Sequence, residues 1–461
     1  MYDITIIGAG VSSVFLAYKL QEQNKNLTIH IIDKGKPLED RVCPTDHGGT
    51  CNCKACPKYY GFAGLGKSEG KFNYTNDFGG QLGDKIGEQE ALELMDEVDR
   101  ILCSYGADQI EAYSTQNPDL EREAKTYGLD VLSTSVRHLG TKLATNIFQK
   151  LFDDLKDFIS FTFEADVQAI SESDKGFSIQ TNHGSFHSTK VVLATGMSGS
   201  EWMQKQCTSL GIQPSRTRVD LGLRIEMNRK QMNPLLQHTF ETKLRYRGKD
   251  YEATTYCMNP GGRIIRKHQS GLVMADGQNY GEKNEQTKNL NYSLFVPRYF
   301  NTYEEARTYS RSIIEGVNQE KGRIVVQRLG DLYKQQASTQ KGIEMNSIRP
   351  SLAEIEPGNL INEMPELYLR AYLDMTEALE GLIGEKLNED TLLYAMDAKF
   401  YEPKVETNKT FESNIPNLFL VGDCSGDTHS LSQAAASGLF LGKYLSNVED
   451  KQFEQVVENR H

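Results

Sequence analysis

Two groups of residues in this chain have the types and spacing to do chemistry. Cys43, Cys51, Cys53 and Cys56 fall within 14 residues, whereas Cys103, Cys207, Cys257 and Cys424 are scattered. Thiols this close can hold an iron–sulfur cluster or zinc, form a redox dithiol, or sit buried as structural thiols. Their spacing is neither a bacterial ferredoxin run nor a zinc ribbon, and the three readings stay open. The second group is Gly8-Ala9-Gly10-Val11-Ser12-Ser13. A Gly-x-Gly turn lets the backbone approach a pyrophosphate, which then rests on a helix N-terminus. Ser13 replaces the third glycine of the fingerprint and is still small enough for close helix–strand packing. Asp33, 20 residues after Ser13, is placed to accept from a ribose hydroxyl.

The elements that must position these groups can be read from the pattern. Residues 3–8 predict a buried strand, Gly8 to Ser13 a turn opening a helix to about Leu20, and 27–33 a second strand ending in the acid. Residues 34–80 are Gly-rich and non-periodic, which predicts a long functional loop region. A helix is expected over 87–104, with Ala91, Leu94, Met95, Val98, Ile101 and Leu102 on one side, and another over 141–158. Strands are expected at 161–167, 176–181 and 191–196. From 197 to about 410 the chain changes character, with the only Trp, short strands at 218–226, 252–258 and 271–275, and a helix near 303–318. The last strand, Leu418 to Asp423, runs into a helix over about 431–446.

The close of the chain narrows the reading. Gly422-Asp423 followed by Gln433-Ala434-Ala435-Ala436-Ser437-Gly438 resembles the C-terminal segment of the two-dinucleotide-fold flavoproteins. In that superfamily the Asp binds the FAD ribityl chain and the following helix points its N-terminus at the flavin pyrimidine. The resemblance therefore implies FAD as cofactor, with roles for Gly422, Asp423, Leu431 and Ser432. A positive helix end suits the negative charge of reduced flavin. Ala194-Thr195-Gly196 matches a third landmark, where the chain leaves the FAD domain. With Gly8, Gly10, Ser12, Ser13 and Asp33, these are the candidate cofactor contacts, joined by Lys34 and Val167. A second Gly-x-Gly-x-x-Gly after a strand is not found, so NAD(P)H binding is not evident.

A finer resemblance covers most of the chain. Cys43-Pro44, the Cys-rich loop, Gly70-Lys71-Phe72-Asn73, Cys257-Met258-Asn259-Pro260-Gly261-Gly262, Gln327-Arg328-Leu329-Gly330-Asp331 and Gly422 to Gly438 resemble a broad, mostly uncharacterised bacterial family of FAD-dependent dehydrogenases. Gly48-Gly49-Thr50-Cys51 through Cys56-Pro57 also resembles the redox-disulfide helix of flavin disulfide reductases, whose second nucleotide domain and C-terminal His-Pro acid/base have no counterpart here. A flavin neighbour would make an iron–sulfur centre useful for electron transfer and ranks it above zinc.

Composition bounds the partners. The 461 residues carry 51 Lys plus Arg against 63 Asp plus Glu, a net charge of -12, which disfavours nucleic acid. No run of 18 apolar residues exists, so no membrane span is expected, and the N-terminus lacks a signal-peptide pattern. A cytoplasmic protein is expected, with a small-molecule substrate and, as an option, a protein electron donor. His429 is a candidate proton donor or flavin N1 partner against a packing role. Arg263 and Arg349 are candidate carboxylate clamps against surface pairs, and Tyr256 a candidate liner of the flavin face against core packing.

The expected fold is α/β: a Rossmann-like FAD-binding domain of the glutathione-reductase type with an inserted α+β substrate domain. The FAD-binding domain is expected from 1–80, 131–197 and 412–461, a helical and loop insertion from 81–130, and the substrate domain from 198–411. The function this implies is hydride transfer between flavin N5 and a small molecule. A flavin-binding redox sensor or electron-transfer partner without turnover is the alternative.

Overall fold

The computed structural model describes residues 1–42, 57–67, 70–212, 214–237, 242–269, 271–278, 286–401 and 403–458. Cys43, Cys51, Cys53 and Cys56 all lie outside them. The chain divides into two compact units. Unit 1 comprises residues 1–114, 134–216 and 401–461, and unit 2 comprises 115–133 and 217–400.

Unit 1 is an α/β layer structure, the fold class the sequence predicts. Strand β1 (Tyr2–Ile7) leads through the glycine turn into helix α1 (Val11–Gln23) and then β2 (Ile29–Ile32). The last four residues of β1 and all four of β2 are buried, as expected of parallel strands covered on both faces. Among the described residues, five strands pair in parallel in the order Ile159–Thr162, β2, β1, Gly184–Leu193, Leu418–Leu420. Numbered along the chain, that order is 3-2-1-4-5, the doubly wound arrangement of nucleotide-binding sheets. The strand Gly184–Leu193 is shared: its first half pairs antiparallel with Gly176–Thr181, and its last residues pair with both β1 and Leu418–Leu420.

Helix α1 packs along the terminal helix Leu431–Glu458. Their approach is close because the facing residues are small. A Cβ on Gly438 would stand 2.1 Å from the Ser12 carbonyl oxygen. The helix Glu88–Ser104 buries all six of the apolar residues that its periodicity picks out.

Unit 2 is built on an eight-stranded, largely antiparallel sheet around Thr217–Asn228, Asn289–Phe300 and Leu392–Phe400. It is covered by helices that include Glu366–Ile383, which buries Tyr368, Tyr372 and Met375 against the sheet residues. The helix Tyr303–Asn318 opens with a capping box between Thr302 and Glu305.

Several element expectations need correction. The strand expected at 161–167 is two strands, Ile159–Thr162 and Val167–Ser173, which belong to different edges of the sheet. The 34–80 region contains a strand, Lys71–Tyr74, paired with Ser135–His138. Leu129–Leu132 pairs with Lys243–Arg247 and so belongs to unit 2, while Trp202, on the helix Ser200–Ser209, belongs to unit 1.

Candidate functional site

The carboxyl ends of the parallel strands open into one cleft, lined wholly by residues of unit 1. This is where an open α/β sheet binds ligands, since side chains and loop amides there converge beyond the strand ends. The glycine turn forms its floor through Gly8, Gly10 and Ser12. Gly8 has φ +102°, and a Cβ built on it would lie 2.4 Å from the Ala194 carbonyl oxygen, so the turn takes a shape and a packing that only glycine permits.

Two long helices present their N-termini to this cleft, α1 through Val11 and Ser12 and the terminal helix through Ser430, Leu431 and Ala434. Neither has an acidic residue in its first turn. Gly10, at the α1 N-cap, has no side chain to bond the exposed amides, whereas Ser430 accepts from the Gln433 amide at 3.3 Å. Two helix ends with partial positive charge and no acid to offset them suit an anionic or electron-rich ligand.

Asp33 sits at the end of β2 on the cleft wall and is 9% exposed. Its carboxylate accepts from the Ala9 amide at 2.7 Å and the Gly35 amide at 2.6 Å. The acid thus pins the glycine turn as well as facing the cleft. Burial pushes its carboxyl above the ordinary range, opposed by the amide donors and by Arg41. Lys34 lines the rim and pairs with Asp166 at 3.0 Å.

Val167 lines the same end, its carbonyl accepting from the indole N–H of Trp202, another lining residue. Ala194, Thr195 and Gly196 form the middle of the wall. The Thr195 hydroxyl is buried beside the Cys424 thiol. Asp423 lines the far end, with the Thr428 hydroxyl donating to its Oδ1 at 2.8 Å.

The structure thus brings together Gly8, Gly10, Ser12, Asp33, Lys34, Val167, Ala194, Thr195, Gly196, Asp423 and Leu431. Ser13, Gly422 and Ser432 stand behind the wall rather than on it. Ser13 and Ser432 are fully buried, their hydroxyls without a hydrogen-bond partner among the described residues, and the Gly422 amide donates to the Ser437 hydroxyl at 3.1 Å.

The cleft also has walls that sequence reasoning missed. Tyr59, Tyr60, Gly61, Gly64 and Leu65 form one, and Met197, Ser198 and Gly199 another, with the Tyr60 hydroxyl donating to the Ser198 carbonyl at 2.7 Å. Arg41, only 3% exposed, holds the first wall by donating to the carbonyls of Pro57, Lys58, Phe62 and Gly64. No periodicity marks these stretches; the glycines of 61–66 are the one local signal.

The candidate catalytic residues fall in both units, His429 in unit 1 and Tyr256, Arg263 and Arg349 in unit 2. His429 is two residues before the terminal helix, its ring edge-on to Tyr401 at 4.6 Å and its amide bonded to the Gly79 carbonyl at 2.8 Å. Tyr256, in unit 2, has the ammonium groups of Lys243 and Lys399 5.0 and 5.4 Å from its ring centroid. The exposed Arg263 guanidinium donates to Gln278 on the neighbouring strand. Arg349 donates to the Glu344 carbonyl. Among the described residues no group of three or more His, Cys, Asp or Glu could hold a metal, and no helix is long and apolar enough to cross a membrane. Burial pushes the Cys207 thiol up to about 11 and the Cys424 thiol to about 12, so both are protonated at neutral pH and poor nucleophiles.

The class that the fold defines is a doubly wound α/β protein with a ligand cleft at the strand ends. No protein-family model and no curated protein matches the chain. Among solved structures, it is similar to an L-proline dehydrogenase from P. horikoshii, at 12% identity and a TM-score of 0.41 over 97% of this chain and 93% of that one. A glycine oxidase from Geobacillus kaustophilus shares 11% identity at a TM-score of 0.39, covering 98% and 95% of the two chains. Quinol fumarate reductase of E. coli shares 14% at 0.41, covering 97% and 70%. At such identity, what the cleft binds follows from its own residues.

Proposed function

We propose that this chain is an FAD-dependent oxidoreductase acting on a small molecule. The observation that carries the reading is the convergence of two acid-free helix N-termini, a glycine-only turn and the acids Asp33 and Asp423 on one cleft above a 3-2-1-4-5 sheet. An extended dinucleotide with a central pyrophosphate and hydroxyls toward either end matches that layout. The amides around Gly10 and Ser12 would hold the pyrophosphate, Asp33 the ribose hydroxyls, and Asp423 the ribityl hydroxyls. The Thr428 hydroxyl donates to Oδ1 of Asp423 and so orients that carboxylate.

When bound, FAD supplies a two-electron acceptor and donor at its N5 position. The protein's part is to orient it, exclude water along the floor, and place the start of the terminal helix where electron density accumulates on reduction. Substrate recognition is assigned to unit 2, with Tyr256, Arg263 and Arg349 as the residues to probe, and proton transfer to His429. The experiment is reconstitution of cofactor-free protein with FAD, FMN and NAD, followed by anaerobic mixing with a metabolite panel. Tight uptake of FAD alone and bleaching by one substrate class would support the reading. Uptake of none, or no reduction by any donor, would count against it. The same spectrum addresses Cys43, Cys51, Cys53 and Cys56: a broad dithionite-bleachable absorption lost on Cys→Ser replacement would assign them a metal centre.

A further inference from the structure

The turn that carries Asp423 to the cleft and starts the terminal helix is held from behind by three charges. The Asp427 carboxylate is fully buried. The Lys85 ammonium lies 2.9 Å from its Oδ2 and the Lys404 ammonium 2.8 Å from its Oδ1. The Lys85 side chain is 8% exposed and that of Lys404 33%. Lys85 also donates to the Thr407 carbonyl at 3.3 Å and lies 5.2 Å from the Phe411 ring centroid. The three residues come from separate stretches of unit 1, and backbone bonds join those stretches to the turn. Gln81 donates to the Asp427 carbonyl at 2.7 Å, Val405 to Ser425 at 3.0 Å and His429 to Gly79 at 2.8 Å.

The charges do not balance. Among the described residues two ammonium groups face one carboxylate, which leaves the three with a net positive charge, Asp427 and Lys85 being buried and Lys404 a third exposed. Asp423, the other carboxylate of the turn, lines the cleft and accepts from Thr428. The first turn of the terminal helix has no acid. The cluster therefore adds to the positive helix end instead of cancelling it, and low local polarity extends its reach. None of the three residues lines the cleft, so they act through the turn and through space.

We infer that Asp427, Lys85 and Lys404 are positioning residues that fix Asp423 and the helix start, and that their net positive charge makes the bound cofactor easier to reduce. The inference rests on the FAD reading above. Its test is the midpoint potential of bound FAD, with its affinity, in K404M, K404R and D427N. Lys404→Met leaves the Lys85–Asp427 pair neutral and removes the excess charge. The preference for reduced over oxidised cofactor should fall about three- to tenfold, tenfold being about 30 mV to the negative for a two-electron couple. Asp427→Asn leaves two unneutralised ammonium groups and should move the potential the opposite way by a comparable amount. Lys404→Arg keeps the charge and should leave it unmoved.

A purely structural cluster would lower stability in both charge variants without potentials of opposite sign, and that result overturns the inference. If Asp427→Asn does not fold, the Lys404→Met and Lys404→Arg pair still decides. Wild-type protein that takes up no FAD would refute the FAD reading and this inference with it. FAD bound at unshifted potential in Lys404→Met would refute the inference alone.

Discussion

Gly8 has room for no side chain: its φ of +102° is a backbone form that L residues rarely adopt, and the Ala194 carbonyl already occupies the Cβ position. Gly8→Ala should cost about 1–3 kcal/mol from backbone conformation alone, and more from the clash. Thermal unfolding should show the loss, and cofactor content should fall with it, because the turn would move away from the ligand. Asp33 and Arg41 act at the same scale by holding backbone. The acid was legible from its distance to the glycine turn, but its bonds to Ala9 and Gly35 were not, since spacing names a position and not all its partners. Arg41 was invisible in the sequence: an arginine that collects carbonyls from 57–64 looks like any surface charge until the loop folds over it.

At the scale of elements, the two helices that point at the cleft owe their geometry to small residues along their contact. Gly438→Ala would set a methyl 2.1 Å from the Ser12 carbonyl oxygen and 3.0 Å from the Leu16 nitrogen, both backbone atoms that must shift. A loss of about 1–3 kcal/mol is expected, with weaker FAD uptake, measured by denaturant unfolding and by titration. Strand β2 carries a pH dependence of its own. His30 is 1% exposed, stacked on Tyr2 and bonded to Thr162, and burial lowers its pKa from 6.5 to about 4. Below pH 6.5 the unfolded chain takes up a proton that the folded chain refuses until about pH 4, so stability falls as pH drops through that window. The loss amounts to about 3 kcal/mol. His30→Gln should remove this part of the acid sensitivity; unfolding curves at pH 7 and pH 4 that stay parallel in wild type and variant would contradict it. The helices and most strands were legible because their periodicity is local. The break between Ile159–Thr162 and Val167–Ser173 was not, because one run of apolar residues feeds two different edges of the sheet.

For the whole molecule, the landmarks at 8–13, 33, 194–196 and 422–432 are far apart in sequence, yet most of them line one cleft. Each was readable because a glycine or an acid at a strand end is a local requirement of close backbone approach. The remaining walls were not readable, since Tyr60 meets Ser198 only through the tertiary fold. The assignment of 115–133 to unit 2 was hidden for the same reason: Leu129–Leu132 becomes a strand only by pairing with Lys243–Arg247. The single tryptophan offers a clean report on the cleft, because Trp202 lines it and no other indole contributes. Addition of FAD to cofactor-free protein should quench that emission in a saturable way, and Trp202→Phe should abolish the signal while FAD still binds.

The most direct test of FAD binding is the visible absorption spectrum of the purified chain, followed by identification of whatever chromophore heat releases. The two visible bands of oxidised flavin and release of FAD, about one per chain, are expected. A colourless protein that also fails to take up added FAD would contradict FAD binding.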